Sequence, residues 1–312
     1  MKRIDTFPYS GEADMLECRL TEHDAVMDRF VIVEADVTHG GNKPKPYHFL
    51  DQRERFAPWA DRITYVQATD LPTVEDAWAR ELAQREWVRV GLKGDVAPDD
   101  IVFHGDVDEI LTVTAGRSFT PGGRNPEFVV FPQRFHPFAV DWFHPEVWGG
   151  TVAARFRSIK SFSDMRNRRL YRADRAWNGA PPHCGWHFSW VSDGVKSKQV
   201  KIESFCHPEL SDNWRPHLAE CYAAGLHVDG TPLVAVDVDS SWPRWIVEGH
   251  APAGWFRPQG PRHALPPVWA VAAYGPLDKG YEYRSAPEVE DGWELVGHAG
   301  DGVLMMRAFT DG

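Results

Sequence analysis

The chain has little cysteine: four residues in 312, at positions 18, 184, 206 and 221, with no Cys-x-x-Cys pair. That spacing argues against a Cys-rich zinc site and for free thiols in a reducing compartment. Long apolar runs are also missing. The first residues, "MKRIDTFPYSGEADML", show neither the apolar core of a signal peptide nor a membrane anchor. The sequence therefore predicts a cytoplasmic protein with no membrane span. Positive charge is scarce. With 34 Lys and Arg against 45 Asp and Glu, the net charge is −11. The basic footprint that nucleic-acid binding requires is absent, although a local basic site for a phosphorylated ligand is compatible with this balance. No internal repeat or low-complexity tract breaks the chain.

What is present is the composition of a soluble globular protein, 43% hydrophobic and 25% charged. The length is enough for a sizeable core without staples. Tryptophan is abundant, with 14 residues. Such rings either pack in the core or stack on a ligand.

Along the first hundred residues strand and helix signals alternate. "RIDTFPY", "DRFVIVEAD", "DRITYVQ" and "DDIVFHGDVDEIL" read as strands. "GEADMLECRLTEH", the short "DQRERFAPW" and the long "TVEDAWARELAQREWVRVGL" read as helices between them, the last capped by Thr73 with Asp76 three residues on. This order predicts an α/β fold: a Rossmann-type, mostly parallel central sheet with helices on its faces. In such sheets ligands bind at the carboxyl ends of strands, where Glu34 and the cluster after "IVFHG" fall. "PEFVVFPQRFHPF" and "TVAARFRSI" read as further strands of a mixed second half. After a Pro-rich link, "GYEYRSA", "WELVGHAG" and "GVLMMRAF" read as strands of a small β-rich appendage, together with "VWAVAAYG". The division expected is 1–250 and 251–312.

The acidic cluster carries the chemistry. Asp106 and Asp108 are one residue apart, so on a strand they point the same way. Two close carboxylates repel, and a divalent cation such as Mg²⁺ or Mn²⁺ removes that cost. The bland reading is a solvated acidic turn. Two chemistries place Asp-x-Asp at a strand end. A phosphatase uses the first Asp as nucleophile, but its motif opens the domain and carries Thr or Val where Ile110 stands. Glycosyl transfer from a nucleotide sugar uses the pair on a cation facing a diphosphate, after several strands. The position here favours the second. A carbohydrate-binding protein with a disabled site is the non-enzymatic alternative, against which the intact pair argues.

Two basic features accompany the motif. Trp78, Arg85 and Leu92 recur every seven residues, which puts Arg85 on an apolar stripe where a charge needs a partner. It is either a buried ion pair with the acidic cluster or Glu34, or a phosphate ligand. In "THGGNKPKPY", after the strand ending at Glu34, Lys43 and Lys45 could approach a diphosphate as point charges.

Taken together, "GEADMLECRL", "DRFVIVEADVTHGGNKPKP", "DDIVFHGDVDEI", "GWHFSW" and "ESFCHPEL", in that order over roughly residues 4 to 215, resemble glycosyltransferase family 17. The resemblance implies a GT-A-like fold, a UDP-sugar donor with UDP-GlcNAc first, a carbohydrate acceptor, a divalent metal (Mn²⁺ or Mg²⁺) and inversion at the anomeric carbon. It implies Asp106 and Asp108 as metal ligands, with His207 completing the set. Glu34 and Asp106 would meet the nucleotide with Lys43, Lys45 and Arg85. Trp186 and His187 match the family's Gly-Trp-His segment on the acceptor side, with Trp190 nearby. His187 is the expected general base, and Glu12, Asp14, Glu109 and Asp141 are rivals. His136, His144 and His183 read as structural histidines.

Overall fold

The structure, a computed structural model, describes residues 1–73, 76–118, 127–170, 184–204, 215–258, 281–286, 294–299 and 302–308. The first strands arise from apolar runs buried on both sides. In β1 (Arg3–Tyr9), Phe7 and Tyr9 join one core and Ile4 the other. In β2 (Arg29–Ala35), Phe30 and Ile32 join the first core, and Val31 and Val33 the second. β4 (Ile101–His104) divides in the same way, Phe103 from Val102. Helix α1 (Ala13–His23) covers the first face through Leu16 and Leu20. Between β2 and β3 (Ile63–Ala68) lies a short helix, α2 (His48–Gln52).

The strand order β3-β2-β1-β4 is parallel throughout. β1 runs onward to β2 on one side, while β4 lies on the other. The gap between the carboxyl ends of β1 and β4 is therefore a topological switch point, where open α/β sheets place their ligands.

Beyond β4 the sheet turns antiparallel, so the expectation of a mostly parallel sheet is corrected to a mixed one. β4 pairs antiparallel with β7 (Trp142–Arg155), and β6 (Phe128–Phe135) pairs antiparallel with β7. The reason is loop length. Six residues, 136–141, join β6 to β7, and a parallel crossover needs a dozen or more. After the acidic turn, β5 (Glu109–Leu111) leads to α5 (Val113–Ser118) and pairs antiparallel with β8 (Gly185–His187), which runs parallel to β6. A two-residue strand, β9 (Val234–Ala235), links β7 to the hairpin-paired strands β10 (Tyr281–Ala286), β11 (Glu294–Ala299) and β12 (Gly302–Ala308). Three of the four late strands expected from the sequence thus exist, and "VWAVAAYG" lies outside the described residues.

The long helix is also corrected. It starts at Ala77, because the Asp76 carboxylate accepts from the Trp78 amide at 2.9 Å and caps it in place of Thr73. It runs as α3 (Ala77–Glu86), turns at Trp87 and continues as α4 (Val88–Leu92). Arg85 and Leu92 are buried as the spacing predicts, but Trp78 is exposed. Cys18, Cys184 and Cys221 are free thiols, and Cys206 lies outside the described residues. No helix among the described residues is long and apolar enough to cross a membrane.

Candidate active site

Below the switch point lies a buried charge network. Asp5 of β1 is fully buried and receives two hydrogen bonds from Arg19 of α1, at 2.7 and 2.8 Å. Its carboxyl sits far below the usual range. Burial would raise it, but Arg19 and His23 outweigh that. The rest of the Arg19 guanidinium reaches the turn after β4 and donates to the carbonyls of Asp106 and Glu109 at 2.7 Å each. His23 accepts the Leu111 amide at Nε2 (3.0 Å), so its proton faces Asp5 from Nδ1, 2.8 Å away. One buried cluster thus fixes the backbone of residues 106–111. Gly105 is required just before it, because a Cβ there would meet Thr151 Oγ1 at 2.6 Å and Glu109 Oε2 at 2.7 Å.

On this platform the acidic side chains face cations from distant elements. Asp106 Oδ1 accepts from Arg85 of α3 at 2.7 Å. Its Oδ2 accepts at 2.6 Å from Arg166 of α6 (Phe162–Asn167). Burial would raise the Asp106 carboxyl, but Arg166 and Arg85 hold it well below the usual carboxylate range. Glu109 is fully buried. It accepts from Arg166 at 2.5 and 2.8 Å and from the Trp148 indole at 2.7 Å. Arg169 stands over the Trp148 ring, 5.0 Å from its centroid, and is pushed down to about 10, first by the neighbouring charge of Arg166 and then by burial. Asp108 Oδ2 accepts from Lys201 of α7 (Gly194–Ser204) at 3.1 Å, and Lys201 also lies 3.8 Å from Glu12. Asp108 Oδ1 has no hydrogen bond among the described residues, and His187 Nε2 lies 3.7 Å from it.

Arg85 is itself positioned from below. The Thr6 hydroxyl donates to Phe103 O at 2.9 Å, so it accepts from His104 Nδ1, also at 2.9 Å. His104 Nε2 is then left to accept from Arg85, at 3.4 Å. Burial, with Arg85 and Arg166 nearby, holds His104 in its neutral form.

His187 is a buried neutral imidazole. Burial lowers its pKa more than Asp108, Glu109 and Asp106 raise it. It stacks on Trp148 at 4.3 Å and on Phe135 at 5.2 Å, and its Nδ1 has no hydrogen-bond partner among the described residues. A neutral ring with a carboxylate at one nitrogen is suited to proton transfer. Of its rivals, Asp14 pairs with Arg55 at 2.5 Å, and Asp141 binds the Arg257 amide at 2.8 Å.

Other expected residues sit differently. Glu34 is fully buried, and its two oxygens accept from Lys45 (3.1 Å), the His48 and Phe49 amides (2.9 and 3.0 Å) and the Tyr65 hydroxyl (2.9 Å). It anchors its own loop rather than facing the acidic turn. Lys43 is exposed. Trp186 and Trp190 lie in the core, 1% and 6% exposed, so neither presents a face for stacking on a sugar. Trp186 lies parallel to Phe188 and near-parallel to Trp242, each 6.5 Å away, and Trp190 stacks on Phe138 at 5.5 Å. The aromatic ring at the turn is Trp148. His207 and His183 lie outside the described residues.

Seven contributors escaped the sequence reading: Asp5, Arg19, His23, His104, Arg166, Arg169 and Lys201. Arg19 interrupts the apolar stripe of α1 as Arg85 does that of α3, so the same rule would have found it. Arg166 and Arg169 belong to the basic run "RNRRLYR". Lys201 carried no local signal.

The donor set suits a hard divalent cation: two carboxylates offer oxygen, and Asp108 Oδ1 is open. Each Asp106 oxygen, though bound to an arginine, keeps a second lone pair.

Residues 1–214 match the family model described as Glycosyltransferase family 17. Among curated proteins, the chain is 24% identical over 238 residues to the β-1,4-mannosyl-glycoprotein 4-β-N-acetylglucosaminyltransferases of Homo sapiens and Rattus norvegicus. The match covers 67% of this chain and 44% of each relative, so the chain spans about half their length. Among solved structures, the apo form of the glycosyltransferase GlyE of Streptococcus pneumoniae TIGR4 aligns with a TM-score of 0.30 and 9% identity, over 56% of this chain and 44% of that one.

Proposed function

This chain belongs to glycosyltransferase family 17, and from that premise we propose that it moves a sugar from a nucleoside-diphosphate donor to a carbohydrate hydroxyl at the Asp106–Glu109 turn. The observation that carries the reading is the ring of Arg85, Arg166 and Lys201 around Asp106 and Asp108 at the switch point. The donor is UDP-GlcNAc, in keeping with the N-acetylglucosaminyl transfer that the names of the curated relatives state. A Mn²⁺ or Mg²⁺ ion, held by Asp106 and Asp108, would supply Lewis-acid neutralisation of the diphosphate.

The chain's own groups do the rest. Arg85, Arg166 and Lys201 are hydrogen-bond donors already gathered at the turn, and they can share their charge with the leaving diphosphate without large rearrangement. The Arg19 cluster keeps that geometry fixed. His187, neutral and backed by Trp148, accepts the proton of the attacking hydroxyl. One base and one displacement invert the anomeric carbon. An Asp-nucleophile phosphatase fits less well, because the Asp106–Asp108 pair follows the fourth strand and does not open the domain. A cytoplasmic setting belongs to the same proposal and is open to fractionation.

The test is a donor screen. UDP with Mn²⁺ should raise the melting temperature more than either alone. Of UDP-GlcNAc, UDP-Gal, UDP-Glc and GDP-mannose, the first should be hydrolysed fastest with Mn²⁺. No shift with UDP and metal, and no hydrolysis of any donor, would sink the proposal.

A further inference from the structure

The charges at the acidic turn nearly cancel among themselves. Five carboxylates, Glu12, Glu81, Asp106, Asp108 and Glu109, face four cations, Arg85, Arg166, Arg169 and Lys201. A divalent ion held by Asp106 and Asp108 would bring two more positive charges into this set. Like charges a few ångströms apart in a partly buried site repel strongly, so one resident cation has to give up its place.

The three cations that touch the pair differ in how firmly they are held. The Arg85 and Arg166 side chains are each 4% exposed. Away from Asp106, Arg85 keeps Glu81 at 2.7 Å, and Arg166 keeps Glu109 at 2.5 Å and the Gly150 carbonyl at 3.2 Å. Lys201 is different. Its side chain is 28% exposed, and it carries a compact charge on a flexible stem. It lies 3.1 Å from Asp108 Oδ2 and 3.8 Å from a second carboxylate, Glu12. The Asp108 side chain is 9% exposed and that of Glu12 is 30% exposed. A shift from the first to the second takes the ammonium toward solvent.

The helix permits this without unfolding. The start of α7 is pinned: Lys198 Nζ donates to Ser192 O at 2.7 Å and lies 4.9 Å from the centre of the Tyr222 ring, and Val195 packs on the cluster of Phe138 and Trp190. Lys201 follows three residues later, so its long side chain swings from a fixed base.

Resting on the reading that Asp106 and Asp108 hold the cation, we propose that Lys201 is the resting counter-ion of that site: its ammonium neutralises Asp108 until a divalent ion displaces it toward Glu12. The affinity for the ion is set by this competition. Before the ion arrives, Lys201 relieves the repulsion between the carboxylates of the turn. Once displaced, it stands beside the turn as a donor for the diphosphate.

The test measures Mn²⁺ binding to the full chain, without nucleotide, by electron paramagnetic resonance. Acylation followed by mass spectrometry reads the reactivity of Lys201, with Lys196, exposed on the same helix, as reference. Lys201→Met should bind Mn²⁺ at least about tenfold more tightly than the wild type. Lys196→Met makes the same charge change at an exposed, screened position and should shift the affinity by less than about twofold. In the wild type, saturating Mn²⁺ should raise Lys201 acylation severalfold and leave Lys196 unchanged. Should Lys201→Met fail to fold, the wild-type acylation decides. Equal affinity in Lys201→Met and the wild type, or a Lys201 reactivity that Mn²⁺ does not alter, overturns the proposal and leaves the transferase reading standing. No Mn²⁺ uptake by either protein, or uptake that Asp106→Asn leaves unchanged, overturns the proposal together with the metal role on which it rests.

Discussion

Two strand ends of this sheet, on either side of β1, carry engaged acids, and they are held in opposite ways. Glu34, at the end of β2, is bound by two backbone amides, a tyrosine and a lysine, all from residues 45 to 65. Asp106, just past the end of β4, is bound by two guanidinium groups from α3 and α6, and its side chain keeps 31% exposure. Partners that are mostly neutral and local in sequence fold a loop. Charged partners brought from afar, with solvent access, form a cluster that can rearrange around the charge of a ligand. In the proposed reaction the first acid belongs to the scaffold and the second to the chemistry.

The change with the largest expected effect breaks the support under only one of the two. Arg19→Met leaves Asp5 buried without its main partner, and should cost about 3–5 kcal/mol of stability. Urea denaturation measures it, and a loss below about 1 kcal/mol would show that the turn is held by other means. Next, Asp106→Asn should lower turnover by about 10²–10³-fold. Its stability loss should be smaller than that of Arg19→Met, because Arg85 retains Glu81 and Arg166 retains Glu109. Glu34→Gln should reverse the pattern, with stability down by about 1–3 kcal/mol from disturbed loop hydrogen bonds and turnover changed only modestly. A Glu34 variant that melts normally yet cannot bind UDP would erase the contrast.

The smallest effect is in pH. His104 and His187 are held below the ordinary histidine value of 6.5 by burial. Below that value the unfolded chain binds protons that the folded chain refuses, so stability should fall as pH drops, by at most about 1.4 kcal/mol per pH unit for each group. Asp106 adds a second loss as pH falls past the ordinary carboxylate value of 3.8 toward its own lower one. Urea midpoints between pH 8 and pH 5 should show the histidine part, and His187→Gln should flatten it. A midpoint unchanged over that range would mean that these rings titrate in the fold as they do in the unfolded chain.

The parallel half was legible because its signals are local. A short apolar run covered on both sides must be a strand, and amphipathic segments between such runs must be crossover helices. Strand direction in the second half was not legible, since it follows from how few residues join β6 to β7. Arg85 was found because a charge on an apolar stripe needs a partner. Arg19 obeys the same rule and escaped notice inside a motif noted for its order alone. Trp186 and Trp190 were expected at an acceptor, but nothing in a tryptophan's sequence neighbourhood tells whether its ring meets the core or a ligand.

The sequence by itself determined the alternation of strands and helices, the Asp106–Asp108 pair at a strand end and the family to which the chain belongs. These depend on periodicity and order along the chain. Only the tertiary structure decided which charges meet. Arg19, Arg85, Arg166 and Lys201 come from four helices. A buried charge is stabilised by whatever lies within a few ångströms of it, and that neighbourhood exists only once the sheet has brought its strand ends together.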